Sequence, residues 1–130
     1  MRMLENLEPK EVFFFFEEIC IIPHGSGNTD QISKFLKTFA EQRDLEHYQD
    51  ELGNMIIIKE ATPGYEDHEP VMLQGHMDMV AVKEPDCLLD MAKYGLRLFV
   101  DGDRLSALDT SLGGDDGVAL AYGLALLDGD

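Results

Sequence analysis

The stretch "VMLQGHMDMV", residues 71–80, runs from an apolar segment through a glycine into His76-Met77-Asp78. Its reading sets the fold. In an extended strand successive side chains alternate faces, so His76 and Asp78 share one face while Met77 turns to the other. Residues 71–74 read as a buried strand, and the carboxyl end of a strand in an open α/β sheet is where such sheets place ligands. A ligating histidine commonly donates its second ring N–H to a carboxylate, and Asp78 is in position for that part. By itself a His-x-Asp triplet is a weak signal, since a histidine at a strand end often serves only as a hydrogen-bonded structural residue.

The stretch "SALDTSLGGDDGVALAYGLALL", residues 106–127, sets Asp115 and Asp116 between Gly113-Gly114 and Gly117, ahead of an apolar run of helical length. Two carboxylates at a helix start are common, because they cap free N–H groups and suit the helix dipole. Glycines on both sides add something a simple cap does not need: an unusual backbone path and a close approach of the chain to a neighbour. A carboxylate that bridges metal ions would have that requirement. With His76 it makes half a metal site.

Four segments in this order, "EEICIIPHGSGN", "DELGNMIIIKEATPGYED", "VMLQGHMDMV" and "TSLGGDDGVALAYGLALL", resemble the amino-terminal part of the aminoacyl-histidine dipeptidase (peptidase D) family. These are cytosolic dinuclear zinc peptidases related to carnosinases and tripeptidase T. The resemblance implies a three-layer α/β/α sandwich with a mixed sheet, of which residues 1–130 are an amino-terminal, incomplete portion of the catalytic domain. It makes His76 a ligand of one zinc, Asp115 the carboxylate bridging both, and Asp78 the catalytic-site neighbour that orients His76. Asp116 follows the bridge without being a ligand, and the peptide bond between Asp115 and Asp116 is expected to be cis. Zinc is the implied metal, with cobalt or manganese as substitutes, and short peptides, particularly Xaa-His dipeptides, are the implied substrates.

Two positions depart from the family pattern. Asp109 stands where relatives usually carry glycine, which bears on the turn because aspartate tolerates positive φ less well. Gly114 stands where they usually carry alanine. The family's adjacent glutamates, a later acidic ligand and a carboxyl-terminal histidine are all expected beyond residue 130. A catalytic zinc takes about three protein ligands, and a glutamate normally serves as the general base. The 130 residues are therefore expected to bind metal weakly and to hydrolyse peptides poorly or not at all. Two other readings stay open: a sister two-zinc amidohydrolase such as a tripeptidase or deacylase, or a non-catalytic remnant acting as an interaction module.

Composition narrows the partners. The net charge is −16, from 26 acidic against 10 basic residues, which disfavours nucleic acid, whose binding needs clustered Lys and Arg. Anionic membrane is disfavoured on the same ground. A length of 130 residues suits one domain able to bury a core. Cys20 and Cys87 form neither a metal-binding spacing nor a disulfide framework, so reduced buried thiols are expected. The run "VFFFFEEICII" is too short and too acidic for a signal peptide or membrane span, and a cytoplasmic location follows. A homodimer is a possibility for the full-length enzyme.

The remaining elements follow from periodicity. Residues 9–21 read as a helix with Val12, Phe15, Phe16, Ile19 and Cys20 as its apolar stripe and Pro23 beyond its end. "HGSGN" reads as a connector, since it lacks the Gly-Lys-Ser/Thr ending of a phosphate loop. Thr29 is placed to cap a second helix with Ile32, Phe35, Leu36, Phe39 and Ala40 at helical spacing. Residues 45–49 and 55–59 form a hairpin about Gly53-Asn54, and residues 97–100 and 104–106 another about "DGD". Residues 118–127, apolar all round, are expected to be a buried helix packed on the sheet. Ending at residue 130 is expected to leave a sheet edge and an apolar face uncovered, with poor solubility or self-association as the result.

Overall fold

The computed structural model describes residues 2–130. The first helix, α1, spans Lys10–Ile21 with Pro9 just ahead of it, in extended backbone at φ −70°. Proline belongs there because its missing N–H is one the helix cannot use and its fixed φ suits entry. Phe15, Phe16, Ile19 and Cys20 are buried as the spacing demands, and Val12 packs at the edge of the same cluster. The second helix, α2, spans Asp30–Gln42 and buries Ile32, Leu36, Phe39 and Ala40. Thr29 precedes it, and its carbonyl accepts the first helical bond from the Ser33 N–H at 3.0 Å, but its hydroxyl makes no capping bond.

Glu17 breaks the apolar run in sequence yet is buried in the fold, at 5% exposure. Its carboxylate accepts the Met3 and Leu4 amides at 2.5 and 3.0 Å and pairs with Arg2 Nε at 3.0 Å. A buried charge needs such partners. The result fixes Leu4, itself 2% exposed, into the helical core.

Strands β1 (Glu46–Gln49) and β2 (Met55–Ile58) pair antiparallel. Their turn is tied by Asp50, whose carboxylate accepts the Leu52 and Asn54 amides at 2.9 Å each, with Gly53 at φ 87°. Strands β3 (Leu98–Asp101) and β4 (Arg104–Ala107) form the second antiparallel hairpin. A lone parallel bridge joins Gly25 to Met79. Helices with antiparallel ladders and a parallel bridge make the α/β frame.

Two expectations need correction. Residues 71–74 are not a buried strand: they join no ladder, and Val71, Met72 and Leu73 are exposed. A strand is stabilised by hydrogen-bonded neighbours and by cover on its faces, and no segment of the described residues provides either. The last helix, α3 (Gly114–Asp128), is not buried all round. Its Gly117, Ala121 and Leu124 are buried, and Gly117 meets Phe16 and Ile19 of α1. Val118, Tyr122 and Leu126 are exposed. The helix packs on α1 rather than on either hairpin.

Candidate metal centre

His76 and Asp78 do share a face, and Met77 turns the other way to pack against the helical core. His76 Nδ1 donates to the Asp78 carbonyl at 2.9 Å and to its carboxylate Oδ1 at 3.0 Å. On the far side of the ring, Nε2 lies 2.9 Å from Asp115 Oδ1. One imidazole therefore links residues 39 positions apart in sequence. Both of its neighbours are acceptors, so this arrangement suits a ring with a proton on each nitrogen. The Asp115 carboxylate raises the His76 pKa above the ordinary value, and the Asp78 carbonyl and carboxylate add to the effect. The Asp78 pKa is lowered, first by the Ser26 hydroxyl and then by His76.

The start of α3 puts Asp115 where it is. Asp115 and Asp116 have non-helical backbone angles inside the element, and the peptide bond between them is cis, as the resemblance implies. Gly113 sits in the left-handed region at φ 75°. A Cβ there would come within 2.8 Å of the Met79 sulfur, so this position needs glycine on both conformational and steric grounds. The close approach signalled by the flanking glycines is thus between the α3 entry and the segment carrying His76. Asp116 adds a tether that sequence reasoning missed: its Oδ2 accepts the His76 N–H at 3.3 Å.

Asp109, at the position of a family glycine, takes φ 60°. Its carbonyl accepts the Glu84 N–H at 2.9 Å, so its backbone, not its side chain, ties the turn beside the 80–84 segment.

Does this donor set fit a metal ion? In a tetrahedral zinc site with ligand bonds near 2.0–2.2 Å, two ligand atoms stand about 3.4 Å apart. The His76 Nε2 to Asp115 Oδ1 gap of 2.9 Å needs to open by only about half an ångström. An imidazole nitrogen and a carboxylate oxygen are ordinary zinc donors. The Asp115 side chain is 95% exposed, which leaves its second oxygen free for another ligand. Among the described residues, no group of three or more His, Cys, Asp or Glu side chains is gathered to hold an ion. The pair fits two corners of a metal site and does not enclose one.

No protein-family model matches the chain. In sequence it is 36% identical over 127 residues, 98% of its length, to the cytosol non-specific dipeptidase of Escherichia coli, and it covers 26% of that protein. In structure it matches the crystal structure of aminoacylhistidine dipeptidase from Vibrio alginolyticus with a TM-score of 0.94 at 35% identity. That match takes in 97% of this chain and 26% of the other. No helix among the described residues is long and apolar enough to cross a membrane. The chain is thus similar to these two dipeptidases in both sequence and fold, and it spans about a quarter of the length of each.

Proposed function

We propose that residues 1–130 form part of the catalytic domain of a cytoplasmic, metal-dependent dipeptidase, with Xaa-His peptides among its substrates. His76 and Asp115 are its metal ligands here, Asp115 being the bridge, and zinc is the ion. The observation that carries this reading is the convergence of His76 Nε2 and Asp115 Oδ1 at 2.9 Å, with Asp78 held against the opposite ring nitrogen. When bound, a pair of such ions lowers the pKa of a water and polarises the scissile carbonyl.

The chain's own residues prepare that site. Asp78 keeps the proton on Nδ1, which leaves the Nε2 lone pair for the metal. Asp116 holds the His76 backbone in place through its N–H. Asp115 offers two oxygens, one near His76 and one open to a second ion. The acidic surface, with its net charge of −16, favours the approach of cations.

Zinc titration by calorimetry on this chain and on His76→Ala and Asp115→Asn, with Xaa-His hydrolysis followed in parallel, tests the reading. We expect a binding signal in the parent chain that both substitutions remove. Zinc bound equally well by parent and His76→Ala would overturn it.

A further inference from the structure

The loop "HGSGN" reads from sequence as a connector, but the structure joins it directly to the site. The Ser26 N–H donates to the Met79 carbonyl at 3.0 Å, and the Met79 N–H donates to the His24 carbonyl at 3.0 Å. This parallel pairing brings the Ser26 hydroxyl to 2.6 Å from Asp78 Oδ2. The Met79 carbonyl lies farther off, at 3.3 Å. A hydroxyl has one proton to give, and the shorter contact with a charged acceptor takes it. Asp78 then has one oxygen held by Ser26 and the other turned to His76 Nδ1 at 3.0 Å. The chain of contacts runs Ser26, Asp78, His76, Asp115, and Ser26 is its first member.

We infer that Ser26 is a positioning residue: by fixing the Asp78 carboxylate it sets the orientation and tautomer of His76, and through them the affinity of the site for a divalent cation. This deepens the proposed function and rests on it only for the cation. The physical basis lies in the torsion of the carboxylate. Without Ser26, Asp78 is free to turn about its last side-chain bond, and Nδ1 keeps only the Asp78 carbonyl as a firm acceptor. The alternative tautomer, with the proton on Nε2, then gains population and blocks the nitrogen that faces Asp115. Partners that orient a metal ligand are typically worth about 10–100-fold in metal affinity. Because Ser26 is exposed and acts one residue removed, the lower end, about 10-fold, applies.

Ser26→Ala and Ser26→Thr serve as the test, since truncating an exposed hydroxyl leaves no cavity and threonine retains the donor. The first readout is the pair of ring nitrogen shifts of His76 by NMR in the metal-free chain, above the ring's titration. The second is zinc titration by calorimetry. We expect Ser26→Ala to raise the Nε2–H tautomer and to weaken zinc binding about 10-fold, with Ser26→Thr restoring both. In an Asp78→Asn background the Ser26→Ala effect should vanish, because the hydroxyl acts through that carboxylate. An unchanged tautomer in Ser26→Ala, or an equal effect in the Asp78→Asn background, overturns the inference. If the parent chain binds no zinc while Ser26→Ala still shifts the tautomer, the positioning role stands and it is the metal assignment that falls.

Discussion

Replacing Gly117 by alanine sets two opposite effects against each other where α3 crosses α1. Helix propensity favours alanine over glycine by up to about 1 kcal/mol in a helix interior. Gly117 lies in the first regular turn, directly after the non-helical Asp115 and Asp116, so only part of that gain is available. Against it stands packing: a Cβ on Gly117 would lie 3.2 Å from Phe16 Cε2, 3.8 Å from Cδ2 and 3.9 Å from Ile19 Cγ2. Carbon atoms prefer about 3.5–4.0 Å, so the conflict is one atom deep and a few tenths of an ångström wide. Phe16 is only 3% exposed, which leaves its ring little room to move aside. Overpacking of a filled core costs about 1–3 kcal/mol, and it outweighs the propensity gain. We expect Gly117→Ala to lose about 1 kcal/mol in urea unfolding followed by circular dichroism. In a Phe16→Leu background, where the offending carbon is gone, the same substitution should be neutral or stabilising. Because α3 carries Asp115 at its start, the single variant should also bind zinc more weakly. A Gly117→Ala chain as stable as its parent would refute the packing argument.

Three further outcomes are expected. The Cys20 thiol has its pKa pushed up to about 12, by burial first and by Glu17 second, so it should resist alkylation in the folded chain at neutral pH and react only on unfolding; labelling of Cys20 in native protein, located by mass spectrometry, would contradict this. Asp109→Gly relieves a left-handed backbone at φ 60° that costs a non-glycine residue about 1–2 kcal/mol, less the extra chain entropy of glycine, for a net gain of about 0.5 kcal/mol in thermal unfolding; a loss of stability would show that the aspartate carboxylate does something the turn needs. The raised pKa of His76, due first to Asp115, means that the stability from its charged form is fully present below the ordinary histidine value and is lost as pH rises through the raised one. Asp115→Asn should move the NMR titration of His76 back toward the ordinary value, and zinc affinity of the parent should rise with pH as the Nε2 proton leaves.

The helices were legible because their signal is local. Phe15, Phe16, Ile19 and Cys20 in one helix, and Ile32, Leu36, Phe39 and Ala40 in the other, follow the 3.6-residue period and are buried accordingly. Both hairpins were marked by Gly53 and Gly102, which take positive φ in their turns. Residues 71–74 misled because an apolar run reports the burial it would have beside neighbouring strands, and the described residues contain none that pair with it. The α3 run carries apolar side chains all round, so the pattern could not say which face α1 would take. At the candidate site, His76, Asp78 and Asp115 stood out by residue type and setting. The hydroxyl of Ser26 and the tether from Asp116 to the His76 N–H did not, since each acts through one hydrogen bond to a residue 40 or more positions away. The signal available for Ser26 was its place in "EEICIIPHGSGN", the first of the four family-like segments.

The Gly25–Met79 bridge lies outside the three-helix cluster. Two amide bonds, from Ser26 to Met79 and from Met79 to His24, carry it. Regions held by few backbone hydrogen bonds open at a fraction of the global unfolding free energy. The Ser26 and Met79 amides should therefore exchange with solvent deuterium well before those of Ile19 or Leu36. Each such opening parts Ser26 from Asp78 while the helices stay folded, so a cation bound at His76 and Asp115 would slow exchange in a loop that it never touches.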